Sequence, residues 1–359
     1  MTADLDLRPP YAGSVPAPDA DGDLRSVLNA IAVGRPVGPA TIATSLRAVF
    51  AMPSPARDVA LGTIMAEAMA AGPTVDVAAE AIAVALELDG PRQPALVTAE
   101  GTRVVLLAGS GKKGVRTLNI STPAALVAAA AGATIVKIGS GATSSALGSR
   151  DLAQALGLRE RTTVDGVRED VATHGFSFLA VEPHIPTLDR LYGGRFHAPN
   201  LFSFGLAALA SPVRGDVTLF GLAHPRVDVA ARVLARLGES PVEVIGTRLS
   251  GGLYLDEIGL DGDLLRARAE PGADESVESI PLASTPGMSL PRSVDADEAI
   301  QRTLDLLAGA GLPSHRALVV RNAAHLLLTS GVTRSRRRAT VLAEEVLSSG
   351  AAMRLTTGA

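Results

Sequence analysis

A glycine loop after a short apolar stretch carries residue types that bind phosphate. Gly109 and Gly111 let a ligand approach the backbone, and Lys112 and Lys113 bring two cations into the same turn. The polar side chains that follow are Asn119, Ser121 and Thr122. We expect Thr122 to cap a helix whose first backbone N–H groups point at the same ligand. The stretch therefore predicts an anion site, with a plain tight turn as the alternative.

A second stretch of the same kind follows the next apolar run. Lys137 lies near the end of that run, and Ser144, Ser145 and Ser149 follow a further pair of glycines around the start of another helix. Two such loops at neighbouring strand ends would hold a ligand with more than one phosphate. A serine-rich capped turn is the alternative interpretation.

Asp256 and Glu257 form a pair of adjacent carboxylates in a predicted loop. Mg²⁺ takes one or two carboxylates and completes its octahedron with water and phosphate oxygens, so the pair is a candidate metal site. A solvated surface pair is the alternative. The six histidines are scattered without metal-ligand spacing.

The elements that must position these residues change in type along the chain. Helical periodicity begins at Leu24 and continues through predicted helices at 39–51, 55–71 and 75–88. Five apolar stretches then alternate with helical segments: TRVVLLA, ATIVKIG, FSFLAVE, VTLFGLAH and PVEVIG. Helices return at 296–307, 316–329 and 339–349. This order predicts an α/β fold, with a mostly parallel central sheet covered by helices and a smaller all-helical domain.

The predicted domain organisation has three parts. Residues 1–21 are a disordered tail, 22–90 form the small helical domain, and 91–359 form the α/β domain that ends in helices. A later segment of the chain is expected to complete the helical domain.

Composition excludes several classes of protein. With 47% hydrophobic residues the chain is globular, and without cysteine it has neither disulfides nor thiolate chemistry. The net charge of −4 argues against nucleic acid as a partner, and the basic segment TRSRRRAT is interpreted as a solvated helix start. The N-terminus lacks the features of a signal peptide and no apolar run could span a bilayer, so we expect a cytoplasmic protein.

Taken together, these motifs resemble anthranilate phosphoribosyltransferase and its wider transferase family. The family motif GTGGDG followed by TFNIST corresponds to GSGKKG at 109–114 and TLNIST at 117–122. The motif KHGNR followed by SSxSGS corresponds to KIGSG at 137–141 and SSALGS at 144–149, and the acidic pair corresponds to Asp256 and Glu257.

The resemblance implies a homodimer formed through the helical domain, with phosphoribosyl pyrophosphate and Mg²⁺ in the cleft of the α/β domain. Donor-binding residues would be Gly109, Gly111, Thr117, Asn119, Ser121, Thr122, Lys137, Ser144, Ser145 and Ser149, joined by Lys112 and Lys113. Ser121, Asp256 and Glu257 would serve the metal.

The chain differs from the family in the motif that binds the donor and in the motif that contacts the acceptor. Lys112 and Lys113 replace a small residue and an acid in the donor loop. In the second motif Ile138, Ser140 and Gly141 replace His, Asn and Arg, and that Asn contacts the acceptor in the family. Ile138, Ser140 and Arg195 are therefore the expected acceptor-side residues.

Three functions are compatible with this pattern. The leading hypothesis is a divergent phosphoribosyltransferase that acts on an aromatic amine or acid other than anthranilate. A genuine anthranilate phosphoribosyltransferase is the second. The third is a non-catalytic relative that binds a phosphorylated ligand, a partner or nucleic acid, which would require Lys112, Lys113, Lys137 and the arginines at 334–338 to form one basic face.

Overall fold

A computed structural model of the chain defines its architecture. The structure describes residues 24–35, 37–112, 115, 117–142, 147–238, 240–273, 275–283, 288, 290 and 295–356. The predicted tail at 1–21 lies outside these ranges, and its disorder stays a prediction.

Helices form both ends of the described chain and alternate with strands in its middle. The α-helices are α1 Leu24–Ala32, α2 Pro39–Phe50, α3 Ala56–Ala70, α4 Val75–Glu87, α5 Ser121–Ala130, α6 Ser149–Ala155, α7 Val164–His174, α8 Pro186–Tyr192, α9 Leu206–Leu209, α10 Val227–Leu237, α11 Ala296–Leu307, α12 Pro313–Thr329 and α13 Arg336–Ser348. Short 3₁₀ helices lie at Glu182–His184, Leu201–Phe204 and Ala351–Leu355.

One large sheet forms the centre of the molecule. The strands are β1 Ala95–Leu96, β2 Val104–Gly109, β3 Thr134–Gly139, β4 Glu160–Arg161, β5 Phe176–Ala180, β6 Val213–Arg214, β7 Val217–Gly221, β8 Val242–Arg248, β9 Tyr254–Leu255, β10 Asp263–Ala269 and β11 Ser276–Pro281. The order is β11-β10-β8-β7-β2-β3-β5-β4, with β9 paired to β8 and with β1 and β6 in a separate pair. The strands from β8 to β4 are parallel, whereas β9, β10 and β11 pair antiparallel.

The predicted α/β fold is confirmed, and the antiparallel edge is an addition that the sequence did not indicate. β10 alternates apolar and charged residues, and β11 is mostly exposed. Because an edge strand needs little apolar surface, its sequence lacks the continuous apolar run that marks a central parallel strand.

Each face of the sheet carries its own hydrophobic core. In β2, Val104, Leu106 and Ala108 join a core shared with α1–α4 and α10, whereas Val105 and Leu107 join a core shared with α5 and α11–α13. Successive side chains of a strand point to opposite faces, so a run of apolar residues is required where both faces are covered.

The N-terminal helices pack directly on the rest of the molecule. Helix α4 contacts α10, and Phe50 of α2 stacks on Phe202 with ring centroids 6.5 Å apart. The boundaries at 22–90 and 91–359 stay a prediction, because these helices share a core cluster with the sheet. Among the described residues, no helix has both the length and the apolar character needed to cross a membrane.

Candidate active site

A cleft of about 450 Å³ opens where the parallel strands of the sheet end. The segments that follow β2, β3 and β5 contribute to its walls, together with Phe220 of β7 and the carboxylate pair. Ligands of open α/β sheets bind at this edge, outside the carboxyl ends of the strands. The predicted site residues that line the cleft are Gly109, Gly111, Lys112, Thr117, Asn119, Ser121, Lys137, Ile138, Ser140, Ser149, Asp256 and Glu257.

Two of the predicted residues do not line this cleft. Thr122 is fully buried, and Arg195 forms an ion pair with Asp58 of α3 at 3.8 Å while it donates a hydrogen bond to the carbonyl of Gly193. Lys113, Ser144 and Ser145 lie outside the described residues, so their roles stay predictions.

The first glycine loop packs against Asp256 of the carboxylate pair. Gly111 adopts a left-handed conformation with φ of +64°, which glycine adopts without steric cost, and its N–H donates to Oδ2 of Asp256 over 3.3 Å. At Gly221 a Cβ atom would lie 2.0 Å from the carbonyl oxygen of Asp256, so a larger residue would displace this segment. These contacts bring Asp256 and the first glycine loop to the same wall of the cleft.

The first turn of α5 is capped differently from the prediction. The helix begins at Ser121, and the side-chain oxygen of Asn119 accepts the backbone N–H of Thr122 over 3.2 Å. The expectation that the Thr122 side chain caps the helix is therefore wrong. Its hydroxyl is buried and makes no hydrogen bond to any described residue.

Side-chain oxygens of the protein accept hydrogen bonds from the backbone N–H groups of the second glycine loop. Ser140 donates to Oγ of Ser149 over 3.1 Å, Gly141 donates to Glu182 over 2.6 Å, and Ala142 donates to Asp151 over 2.9 Å. These three N–H groups are therefore already hydrogen-bonded within the protein. A phosphate grip shared by both loops therefore stays a prediction, and at this loop it rests on side chains such as Lys137 and Ser149.

Lys112 lies against an aromatic cluster on the opposite wall of the cleft. Its Nζ hydrogen-bonds to the hydroxyl of Tyr192 and lies 4.7 Å from the centre of that ring. Tyr192 stacks on Phe196 and meets Phe202 edge-on, with centroids 5.2 and 4.8 Å away. Burial lowers the pKa of Lys112 to about 8 and raises that of Tyr192 to about 12.

Sequence reasoning missed this cluster, although a signal was present. The segment from Tyr192 to Phe204 contains four of the chain's ten aromatic residues. In a chain so poor in aromatics, such a concentration indicates that these side chains form one aromatic surface.

The basic residues do not form the single face that a nucleic-acid binder would need. Lys112 and Lys137 are buried at the carboxyl ends of the strands. The exposed arginines at 334–338 surround the start of α13, close to Arg103 at the opposite end of β2, whose N–H donates to the carbonyl of Ser330. Among the described cations, the buried lysines and the exposed arginines therefore lie at opposite ends of the strands.

The carboxylate pair fits a magnesium ion that is shared with a phosphate ligand. Asp256 and Glu257 both line the cleft, and no group of three or more His, Asp or Glu ligands occurs among the described residues. Mg²⁺ is commonly held in this way, by one or two carboxylates with substrate phosphates and water.

Comparison with known proteins first gives the class. Residues 101–353 match the sequence family described as "Glycosyl transferase family, a/b domain", so the chain is a transferase of glycosyl groups. The anthranilate phosphoribosyltransferase of Laribacter hongkongensis is 32% identical over 267 residues, which cover 71% of this chain and 74% of that protein. The chain belongs to the anthranilate phosphoribosyltransferase family.

Solved structures of that family share the fold. The Thermus thermophilus enzyme has a TM-score of 0.67 and 26% identity, and the match covers 92% of this chain and 96% of that one. The Saccharomyces cerevisiae enzyme, in complex with PRPP and Mg, has the same TM-score of 0.67 at 19% identity and covers 93% and 95%.

Proposed function

We propose that this protein transfers the 5-phosphoribosyl group of phosphoribosyl pyrophosphate to anthranilate, with Mg²⁺ bound at Asp256 and Glu257. The observation that carries the proposal is the single cleft that joins the glycine loop, the start of α5 and the carboxylate pair to an aromatic wall. The names of the relatives support anthranilate as the acceptor more than they support another amine.

The donor would lie along the wall formed by the first glycine loop and α5. Gly109 and Gly111 allow close approach of the pyrophosphate, and the side chains of Thr117, Asn119 and Ser121 offer donors beside the start of the helix. Lys137 and Ser149 would add contacts from the second strand end. Bound Mg²⁺ would neutralise charge on the departing pyrophosphate.

The reaction is a displacement at the anomeric carbon of ribose. The amine nitrogen of the acceptor forms a bond to C1′ while the bond from C1′ to the pyrophosphate oxygen breaks, and the electron pair leaves with pyrophosphate. The nitrogen then gives up one proton to solvent. Positive charge develops on the ribose ring during this step, so the chain's main contribution is to orient both substrates and to stabilise the leaving group.

An acceptor other than anthranilate remains the second candidate function. Ile138 and Ser140 line the cleft where the family motif has His and Asn. At Ser140 a hydroxyl replaces the amide that contacts the acceptor in the family, and at Ile138 an apolar side chain replaces an imidazole. A larger or less polar aromatic acid would fit this change. The homodimer and the cytoplasmic location also stay predictions.

Pyrophosphate release tests the proposed function. Purified protein is mixed with phosphoribosyl pyrophosphate and Mg²⁺, and pyrophosphate is measured with anthranilate, with its ring-substituted analogues and without any acceptor. We expect release that depends on anthranilate, together with a product heavier than anthranilate by one phosphoribosyl group. Turnover with an analogue alone would favour the second candidate, and release with none of them would contradict both.

A further inference from the structure

We propose that Lys112 and Tyr192 form an acceptor-selecting pair, in which the Lys112 ammonium binds the carboxylate of the aromatic acceptor. This inference rests on the proposed function, because it names the group that recognises the acceptor of that reaction. It reassigns Lys112 from the phosphoribosyl donor, where its place in the glycine loop would put it, to the other substrate.

Lys112 is a buried cation, and no described residue supplies it with a counterion. Its exposed fraction is 6%, and its one hydrogen-bond partner among the described residues is the hydroxyl of Tyr192. No described carboxylate forms an ion pair with it. A buried ammonium with unused N–H donors is destabilising unless an anion pairs with it. Lys112 also lines the cleft, so a ligand that enters can supply that anion.

Lys112 and Gly111 point to different sides of the cleft. Gly111 donates its N–H to Asp256, which follows β9 and lies on the β8 side of β2. Lys112, the next residue, reaches Tyr192 at the end of α8, which follows β5 on the other side of β2. Adjacent residues of one loop therefore contact opposite walls. The metal would lie on the Asp256 wall, and Lys112 belongs to the other.

The wall that Lys112 reaches is formed by aromatic side chains. Tyr192, Phe196 and Phe202 all line the cleft and pack against one another, so the surface around the ammonium is aromatic. A pyrophosphate would leave this apolar surface unused and would lose hydration beside it. A planar aromatic carboxylate would place its ring on the aromatic wall and its charge at Lys112.

Ligand binding without turnover tests the pair. Affinities for anthranilate and for aniline, which lacks the carboxylate, are measured by calorimetry with the wild-type protein and with Lys112→Met. We expect wild type to bind anthranilate more tightly than aniline, and Lys112→Met to weaken anthranilate binding by about 10- to 100-fold. Aniline binding should change by less than about twofold, because the removed contact is charge-specific.

Two controls keep the result specific to the acceptor. Phosphoribosyl pyrophosphate with Mg²⁺ should bind Lys112→Met within about twofold of wild type, whereas a donor contact would lose about tenfold or more. Arg248→Met removes an exposed cation that pairs with Asp263 at 2.7 Å, and it should alter neither ligand.

The outcomes separate this inference from the proposed function. Equal wild-type affinities for anthranilate and aniline, which need no variant to measure, would overturn the role of Lys112. So would a Lys112→Met protein that loses donor affinity and keeps anthranilate affinity. Selective loss of anthranilate binding supports the role even if no pyrophosphate is released, and in that case only the transferase proposal fails.

Discussion

The carboxylate of Asp89 accepts the backbone N–H of Thr187 over 2.7 Å. Its second oxygen accepts the N–H of Leu188 over 3.0 Å, so one side chain satisfies two donors in the first turn of α8. Asp89 lies just after α4, whereas α8 ends at Tyr192 on the aromatic wall of the cleft. The N-terminal helical layer therefore holds the helix that presents Tyr192, although it contributes no predicted site residue.

Replacement of Asp89 should loosen α8. We expect Asp89→Ala to lower the free energy of unfolding by about 1 to 2 kcal/mol, because two N–H groups lose a charged capping partner. The KM for the acceptor should rise while the KM for the donor stays close to wild type, since only the aromatic wall is displaced. Thermal melts and initial rates with each substrate varied provide the measurement.

Asp76→Ala is the matched control for this change. Asp76 is also an aspartate of the helical layer, but its side chain is 69% exposed and pairs with Arg236 at the surface. Its replacement should cost less than about 0.5 kcal/mol and leave both KM values unchanged. Equal effects of the two substitutions would show that Asp89 does not position α8.

The carboxylate at 256 should set the requirement for magnesium. Asp256→Asn keeps the size of the side chain and an oxygen that can accept the N–H of Gly111, but it removes a charge. We expect the Mg²⁺ concentration for half-maximal pyrophosphate release to rise by about tenfold or more, as a charged ligand becomes neutral. Asp263→Asn, at a surface ion pair, is the control. An unchanged Mg²⁺ dependence in Asp256→Asn would remove Asp256 from the metal site.

Lys112 should destabilise the folded protein, because its ammonium is buried in the cleft. Its pKa falls from 10.5 to about 8 on folding, so below pH 8 the folded state holds an ammonium that it stabilises less well than water does. Lys112→Met should therefore raise the free energy of unfolding at pH 7 by about 1 to 3 kcal/mol. Denaturant titration of both proteins measures this difference.

The pH dependence of that difference has a definite sign. Between pH 8 and 10.5 the unfolded chain still binds the Lys112 proton while the folded chain has released it, so the stability of wild type rises with pH. The advantage of Lys112→Met should thus shrink across this window. An advantage that stays constant from pH 7 to pH 10 would show that Lys112 is not desolvated.

His315 should make the protein sensitive to acid. The side chain is fully buried, neither ring nitrogen has a hydrogen-bond partner among the described residues, and burial together with the charge of Arg302 lowers its pKa to about 4. The unfolded chain binds a proton at about pH 6.5, so stability due to this group is lost as pH falls from about 6.5 to about 4. His315→Leu should remove about 1 to 3 kcal/mol of that acid-induced loss. If the free energy of unfolding fell equally in the two proteins between pH 6.5 and pH 4, His315 would not be the source of the acid sensitivity.

The order of helices and strands was predictable because local patterns determine it. The predicted helix at 296–307 has the bounds of α11, and the apolar runs at β2, β3, β5, β7 and β8 mark strands that are buried on both faces. The strand β11 escaped prediction because it is an exposed edge strand, and β10, its inner neighbour, because it alternates apolar and charged residues. The cap of α5 was misassigned to Thr122, because Asn119 and Thr122 are both capping residue types and only the backbone path selects between them.

The sequence by itself determined the α/β fold, the glycine loops and the acidic pair, since each depends on residues that are neighbours along the chain. Tertiary structure decided which wall of the cleft each side chain reaches. Gly111 and Lys112 are consecutive, yet one contacts Asp256 and the other Tyr192, residues that lie 145 and 80 positions away along the chain. The direction of a side chain depends on backbone torsions and on what packs around it, and for Lys112 that packing comes from α8, which Asp89 holds in place.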